Sequence, residues 1–330
     1  MSSQAQLSQV DPAAPAARLR ILVEGAVERL TADGILLSGG LDTSIVCAAA
    51  AQQGRKLWAV SVSVASSASP DERFAELMAD RCGFPLMVLR PSTTELIAAM
   101  PEVMRILGGF DPMEMRNSAV AWLALRAVRE EGIAAVLTGD AADELFAGYS
   151  YIFNMPPGQV RPYLDFLNAV MRFSSLPMGA SLGVQAQLPY LDPAVRDFAL
   201  TMPRGDLVGE RDGQRFGKKV LREAFADLLP QEITWRVKTP IEYGSGSHAL
   251  QKVAIESVSD VEFETARSRI LDEDGVALRD KEQFFYYRMY RAILPPPREQ
   301  TGGEKRCSWC RGPVERAEQK YCRVCGAYPC

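Results

Sequence analysis

The stretch Ser38-Gly39-Gly40-Leu41-Asp42-Thr43-Ser44 decides the fold of this chain. It follows the apolar run Ile35-Leu36-Leu37, and an apolar helical pattern continues from it through Ala49. A strand, a glycine-rich loop and a helix in this order form a phosphate cradle, because glycines admit the anion to the backbone and the helix N-terminus presents amides to it. The loop lacks the Gly-Lys-Ser/Thr ending of the Walker type. The stretch predicts a nucleotide-phosphate site in which Asp42 holds Mg²⁺, with an ordinary glycine turn as the alternative.

The composition excludes several classes of protein. The 330 residues carry a net charge of −4, and 47% of them are hydrophobic, which is typical of a globular protein. The acidic balance argues against a nucleic-acid binder with a wholly basic surface, although a local basic patch stays open. The sequence has neither a membrane-spanning apolar run nor a signal-peptide pattern, which predicts a cytoplasmic protein without a membrane partner. Five of the seven cysteines fall in the last 24 positions and indicate metal binding rather than a disulfide scaffold.

Apolar periodicity divides the chain into alternating helices and strands. The first 15 residues are rich in Ser, Gln, Ala and Pro and are expected to be unstructured. Helices are predicted over 16–30, from about 70, over 94–107 and over 117–131, with strands over 57–64, 85–89 and 134–137. This alternation predicts an α/β fold with a doubly wound parallel sheet. Ligands of such sheets bind beyond the carboxyl ends of the strands, where Ser38 and Thr138 fall.

A second polar stretch, 137–149, follows the predicted strand 134–137. It places Asp140, Asp143 and Glu144 within five residues. So much negative charge at one strand end favours a compensating cation, such as Mg²⁺ bound to a phosphate. The alternative is that these carboxylates are solvated charges at the start of the next helix, where the helix dipole stabilises them.

Several stretches, in one order along the chain, carry a resemblance to a known family. The loop 38–44 resembles the SGGxDS/T loop of the ATP pyrophosphatases. The stretch 139–149 resembles the GEGxDELFGGY segment of the asparagine synthetase family, and 182–192 is similar to its GLEARVPFLD. Further matching stretches are 218–223, 235–238 and 281–288. Residues 16–295 are therefore identified as a member of this family's synthetase domain, which implies the adenine nucleotide alpha hydrolase type of doubly wound sheet with a helical C-terminal part.

The resemblance implies a role for each matching residue. Asp42 and Asp143 would hold Mg²⁺ against the pyrophosphate of ATP. Three residues would be catalytic: Lys218 would offset the negative charge of the acyl-adenylate step, Asp140 would take a proton from the attacking amine, and Arg116 would contact phosphate oxygens. The implied ATP-binding residues are Leu37, Ser38, Gly39, Gly40, Asp42, Thr43, Ser44, Val64, Thr138 and Gly139.

The chain also departs from the family pattern. Gln185 and Gln187 replace a glutamate and an arginine, which predicts an altered pocket for the acid substrate. Asp140 stands where the family has glutamate, so the carboxylate is one methylene shorter. The synthetase pattern begins by residue 16, so we expect no glutaminase domain in this chain. Nitrogen is therefore expected from ammonia, from a substrate amine or from a separate amidotransferase.

The end of the chain has the pattern of a zinc ribbon. After a Pro- and Gly-rich linker at 296–306, two CxxC pairs stand eleven residues apart, which predicts structural Zn²⁺ within 307–330. Redox dithiols or an iron–sulfur cluster are the alternatives. The mildly basic tail is expected to dock on a protein partner, with RNA left open, and Cys330 is a fifth sulfur. The predicted ligands are Cys307, Cys310, Cys322 and Cys325.

These observations lead to one expected function and two alternatives. The first is an ATP-dependent ligase that adenylates a small-molecule carboxylate and joins ammonia or another amine to it, releasing AMP and pyrophosphate. A sulfur transferase acting on tRNA or a small molecule is the second, and it would need Cys47 or Cys82 near the nucleotide. The third is a non-catalytic nucleotide-binding adaptor, which would have no need of Asp42, Asp143 and Lys218 together.

Overall fold

The computed structural model describes residues 14–65, 67–153 and 155–330. The unstructured segment expected at 1–15 lies outside the described residues as far as position 13. The first elements are α1 (Pro15–Glu28), β1 (Gly34–Leu36), α2 (Leu41–Gln52), β2 (Trp58–Val62), α3 (Asp71–Cys82), β3 (Leu86–Leu89), α4 (Thr93–Leu107), α5 (Pro112–Glu130), β4 (Ala135–Leu137), α6 (Ala142–Leu145), α7 (Ser150–Phe153) and α8 (Pro157–Val170).

The elements that follow are shorter and mostly helical. They are α9 (Ser175–Leu182), β5 (Gln185–Gln187), α10 (Pro193–Thr201), α11 (Arg204–Leu207), β6 (Val208–Arg211), β7 (Gln214–Gly217), α12 (Lys219–Phe225), α13 (Gln231–Thr234), α14 (Ile241–Gly244), α15 (Ala249–Glu256), α16 (Asp260–Asp274), α17 (Lys281–Arg291), β8 (Lys305–Arg306) and β9 (Pro313–Val314). Short 3₁₀ turns lie at Pro189–Leu191 and Pro297–Glu299.

Strands β1 to β5 of the described chain form one parallel sheet in the order β3-β2-β1-β4-β5. The order reverses between β1 and β4, whose registers pair Gly34 with Val136 and Ile35 with Leu137. Loops that leave two adjacent strands at such a reversal diverge and open a crevice for ligands. The predicted doubly wound α/β class is confirmed, and the reversal lies between the two polar stretches singled out in the sequence.

The sheet separates two apolar cores because successive strand residues point to opposite faces. Ile35, Ala59 and Leu137 pack with α1, α2 and α3 on one face. Val60 and Val136 pack with α4, α5 and α17 on the other. The two-sided burial explains why β1 to β4 read as largely apolar runs, whereas β5 reads Gln185-Ala186-Gln187.

Helix α5 begins at Pro112, five residues earlier than the expected start at 117. Asp111 is its N-cap, with Oδ1 accepting a hydrogen bond from the Met113 amide, and Pro112 occupies the first turn, where its missing N–H is not needed. The sequence Asp-Pro was therefore the true start signal. The extra turn brings Glu114 to the edge of the sheet where the candidate site lies.

The tail packs against the second core. Cys307, Cys322 and Val324 belong to the same buried cluster as Phe110 and Tyr290. Residues 296–306 also contact the main body, since the side-chain amide of Gln300 donates hydrogen bonds to the Gly108 carbonyl and to the Tyr290 hydroxyl. The division into a synthetase domain, a linker and a ribbon stays a prediction.

Candidate active site

The loop 38–44 leaves β1 and delivers its backbone to the start of α2. Gly39 has φ +66°, and a side chain there would overlap the backbone of Phe74 and Ala75 in α3. The Ser38 hydroxyl lies 3.2 Å from the Thr43 hydroxyl and accepts from the Gly40 amide at 3.3 Å. Glycine is thus required for the close contact with α3, and residues 40–43 at the N-terminus of α2 line the cleft.

The second polar stretch touches this loop directly. A Cβ added at Gly139 would lie 3.0 Å from Asp42 Cβ and 2.9 Å from a Thr43 methyl group. A side chain at Gly148 would overlap Asp143 Oδ1 and Lys218 Cε. Residues about a hundred positions apart in the sequence therefore meet because β1 and β4 are neighbours in the sheet.

Lys218 is buried between the two aspartates proposed as magnesium ligands. Its Nζ lies 2.5 Å from Asp42 Oδ2 and 2.7 Å from Asp143 Oδ1. The Lys238 ammonium group contacts Asp143 Oδ2. Burial alone would raise the pKa of Asp143, but the charges of Lys218 and Lys238 outweigh it and hold that pKa well below its ordinary value. Both carboxylates of this cluster are thus ion-paired with Lys218.

The cluster also fits a divalent cation. None of the described residues donates a hydrogen bond to the buried Asp42 Oδ1. Mg²⁺ in phosphate-binding sites is usually held by one or two carboxylates together with phosphate oxygens. Asp42 and Asp143 are two carboxylates of this type beside the loop 38–44, and three of their four oxygens contact Lys218 or Lys238.

Asp140 lies at the end of β4 beside this cluster. Its Oδ2 accepts hydrogen bonds from the Ser175 hydroxyl at 2.5 Å and the Thr138 hydroxyl at 3.0 Å. Burial raises the pKa of Asp140 above its ordinary value, although the two hydroxyl groups oppose the rise. A carboxylate with a raised pKa, held in place by two donors, is suited to accept a proton.

These groups share one cleft of about 890 Å³. Most of the predicted site residues line it, and the structure also brings in side chains from α8–α9 and from the β6–β7 hairpin. The predicted residues on its wall are Leu37, Ser38, Gly40, Asp42, Thr43, Thr138, Gly139, Asp140, Asp143 and Lys218. Gly39 and Ser44 lie behind the wall: Ser44 is fully buried, and the Gly39 carbonyl accepts from Arg236 at 3.2 Å.

The expected adenosine contact of Val64 is corrected. Val64 is buried in the second core, its amide donates to the Ser245 carbonyl, and its own carbonyl accepts from the Ser67 amide. Both backbone groups are therefore already hydrogen-bonded within the chain, and Val64 is not among the residues that line the cleft. Ser61 and Val62, at the end of β2, line the cleft instead.

The expected phosphate contact of Arg116 is corrected as well. Its Nε lies 2.6 Å from Glu242 Oε2, and its Nη1 contacts Glu282. The side chain lines a separate small cavity of about 230 Å³ at the start of α5. Arg116 joins α5 to α14 and α17, whereas Glu114 and Asn117 are among the α5 residues that line the cleft.

Gln185 and Gln187, which the sequence analysis expected to alter the pocket for the acid, are not among the described residues that line the cleft. Gln187 Oε1 accepts hydrogen bonds from the Thr31 and Ala32 amides, both at 3.1 Å, and its amide group donates to Gln185. The pair fixes the connection between α1 and β1. Side chains at alternate positions of β5 share one face of the sheet, and this face is turned to α1 rather than to the cleft.

Several cleft residues had no assigned role in the sequence. Arg236 binds the Gly39 carbonyl and Asp71, and Lys238 contacts Asp143. Arg211 of the hairpin lies over the Trp235 ring at 4.4 Å. The stretch 235–238 matched a family segment, so its position was recognisable, but nothing in the sequence indicated that it folds over the phosphate loop.

The four predicted cysteine ligands converge in the tail. Their sulfur atoms all lie within 4.8 Å of one another, with 3.8 Å between Cys307 and Cys325 and 3.7 Å between Cys310 and Cys322. Sulfurs of a tetrahedral site with bonds of about 2.3 Å stand about 3.8 Å apart, whereas a disulfide needs about 2.05 Å. The Trp309 and Gly312 amides point at two of the sulfurs. The geometry fits a four-thiolate metal site.

A sequence model of the asparagine synthase family matches residues 18–177 and 177–311. Asparagine synthetase B of Escherichia coli K12 is 29% identical over 286 residues, or 80% of this chain and 50% of that protein. A probable asparagine synthetase of Dictyostelium discoideum is 28% identical over 308 residues (82% and 54%), and asparagine synthetase 2 of Oryza sativa subsp. japonica is 30% identical over 295 residues (82% and 49%). All three are named glutamine-hydrolysing, and this chain spans about half of their length. The chain belongs to the asparagine synthase family.

Proposed function

We propose that this chain is an ATP-dependent amide-forming ligase that adenylates a carboxylate and transfers ammonia or another amine to it. The observation that carries the proposal is the junction of Asp42, Lys218 and Asp143 beside the glycine loop. Burying charged groups costs free energy unless the charges are paired or serve a function. This set combines two carboxylates suited to bind a metal with an ammonium group beside the proposed phosphate loop. Family membership supports the same chemistry.

The proposed reaction has two steps. Gly40, Ser38 and Thr43 would hold the phosphates of ATP, and Asp42 with Asp143 would hold Mg²⁺, which offsets the charge of the leaving pyrophosphate. The carboxylate oxygen of the acid attacks the α-phosphorus, and the bond to pyrophosphate breaks. The amine then attacks the acyl carbon, AMP leaves with the bonding electrons, and the nitrogen loses a proton.

We assign the protein's contribution to two side chains. The Lys218 ammonium group would stabilise negative charge that develops on the phosphate and acyl oxygens, an effect that is commonly the largest in such reactions. Asp140 would accept the proton of the attacking nitrogen. Asparagine formation from aspartate and ammonia is the nearest reaction, and the ammonia could come from solution or from a separate amidotransferase.

The competing sulfur-transfer function has less support. It requires a cysteine at the nucleotide, and Cys47 is fully buried on α2. None of the cleft-lining residues in the described part of the chain is a cysteine. For the tail we propose structural Zn²⁺, because four thiolates at tetrahedral spacing suit it.

The experiment is acid-dependent exchange of labelled pyrophosphate into ATP, followed by amide formation with ammonium. The full chain is incubated with Mg²⁺, ATP and a panel of carboxylic acids that begins with aspartate. We expect exchange with at least one acid and its loss in Asp42→Asn. Asp197→Asn, at an exposed position paired only with its neighbour Arg196 among the described residues, is the matched control. Exchange with no acid, or exchange that survives Asp42→Asn, would refute the proposal.

A further inference from the structure

The tail reaches the cleft through one short piece of chain. Residues 170–175, here termed the wall segment, connect the last residue of α8 to the first residue of α9. Arg172, Phe173, Ser174 and Ser175 all line the cleft. The wall segment has no regular structure of its own between the two helices, so its position depends on contacts with its neighbours.

Two side chains of the tail hold the start of the wall segment. Arg323 donates from Nη2 to the carbonyl oxygen of Val170, and Glu315 pairs with Arg172 Nε at 3.0 Å. The carbonyl of a last helical residue has no partner within its helix, and an arginine that binds it fixes the direction in which the chain leaves. Both contacts join residues about 150 positions apart in the sequence.

The tail is itself firmly attached to the body. The Phe110 amide donates to the Val324 carbonyl at 2.6 Å, and the Tyr321 hydroxyl donates to Asp111. The Gln283 amide group donates to the Cys325 carbonyl at 2.7 Å. These contacts anchor the four-cysteine unit to α5 and α17. The tail is therefore fixed to the body and can restrain the wall segment.

The other end of the wall segment reaches the reacting groups. The Ser175 hydroxyl donates a hydrogen bond to Asp140 Oδ2 at 2.5 Å. Six residues of the wall segment therefore connect the tail contacts at Val170 and Arg172 with Ser175, which contacts the proposed proton acceptor. A shift of the wall segment would move Arg172 and the Ser175 hydroxyl together.

We propose that the four-cysteine tail is an internal brace of the cleft and that Glu315 is a positioning residue for the wall segment on the acid-substrate side. The inference rests on the proposed function in one respect, which is that the acid binds beside Asp140. It assigns to the tail a role within its own chain, where the sequence alone suggested a partner protein.

The first test is hydrogen–deuterium exchange on the full chain without substrates, comparing wild type, Glu315→Gln and Glu318→Gln. Glu318 is the matched control, because its only ion pair among the described residues is a 3.9 Å contact with Arg316 in the tail. We expect amide exchange within 171–176 to rise about two- to fivefold in Glu315→Gln, the range expected for losing an exposed ion pair, with no rise in the control. Unchanged amide exchange within 171–176 in Glu315→Gln, or an equal rise in both variants, would overturn the proposal that the tail restrains the wall segment.

The second test is kinetic. In Glu315→Gln we expect the KM for the acid to rise several-fold, while the KM for ATP stays within about twofold of wild type. A KM for ATP that rises in parallel, or an unchanged KM for the acid, overturns the positioning role. If wild type turns over no acid but the exchange result holds, the proposed function fails and the brace stands, because the first test uses no substrate.

Discussion

Lys218 combines an unusual backbone conformation with a buried charge. It has φ +59°, in the left-handed region that costs a residue with a side chain about 1 kcal/mol, and its amide donates to the Phe146 carbonyl at 2.9 Å. The conformation places its ammonium group between Asp42 and Asp143. Backbone strain of this kind persists where surrounding structure imposes it, and it is concentrated at functional sites.

At the scale of one residue, we predict that Asp140→Asn separates activity from stability. The asparagine side chain can still accept hydrogen bonds from Ser175 and Thr138 but cannot take up a proton, so amide formation should fall by about 10²- to 10⁴-fold. Mg-ATP affinity, measured by isothermal titration calorimetry, should change little, since Asp140 is not among the proposed phosphate or metal contacts.

The difference in stability between wild type and this variant should depend on pH, because the pKa of Asp140 is raised in the folded wild type. The protonated form is favoured in the folded protein, so this stabilising contribution is complete below the unfolded value near 3.8 and is lost as the pH rises through the folded pKa. At pH 7, above the unfolded pKa, this contribution is smaller than at low pH, and Asp140→Asn should have the higher melting temperature. The difference should shrink below pH 3.8, and a variant less stable than wild type at pH 7 would contradict this reasoning.

At the scale of elements, the loops after β1 and β4 work as a single unit because glycines allow them to touch. We predict that Gly148→Ala disrupts this unit, since the added methyl group would overlap Asp143 and Lys218. Mg-ATP affinity should fall at least tenfold, and the free energy of unfolding should drop by about 1–3 kcal/mol, as is usual for overpacking.

The control for this prediction is Gly158→Ala near the start of α8. A Cβ at Gly158 would meet no atom within 4 Å. Alanine there should leave Mg-ATP binding unchanged and alter the unfolding free energy by less than about 1 kcal/mol. Calorimetric titration and thermal unfolding of the two variants make the comparison, and equal Mg-ATP affinity in both would show that the two loops are not coupled.

At the scale of the whole molecule, the tail belongs to one of the two cores that cover the sheet. We predict that metal removal destabilises this core, because the buried sulfur atoms would lose the ion that holds them together. Metal analysis should find one Zn²⁺ per chain, and chelation or Cys310→Ser should lower the main unfolding temperature by several degrees.

Cys82→Ser serves as the control, since Cys82 is a half-buried thiol on α3, outside the tail. It should keep both the metal and the melting temperature. Melting that is identical with and without metal would contradict a structural role, and iron in place of zinc would favour the cluster alternative.

The sequence by itself determined the α/β class, the family, the glycine loop after β1 and the four-cysteine pattern, because each depends on residues that lie close together in the chain. A strand, two glycines and a helix start form a cradle from seven consecutive residues, and the two CxxC pairs lie within one short tail. Periodicity likewise identified β4 and α4, whose burial repeats within a single element.

Only the tertiary structure decided which side chains share the cleft. The sequence suggested that Arg116 contacts phosphate, yet its side chain pairs with Glu242 and Glu282. Similarly, the Gln187 side chain accepts hydrogen bonds from the backbone amides that precede β1. Conversely, Lys238 and the wall segment reach the site through contacts between residues far apart in sequence. Local spacing records which way a residue faces on its own helix or strand, but the partner it meets is fixed by the packing of elements across the sheet.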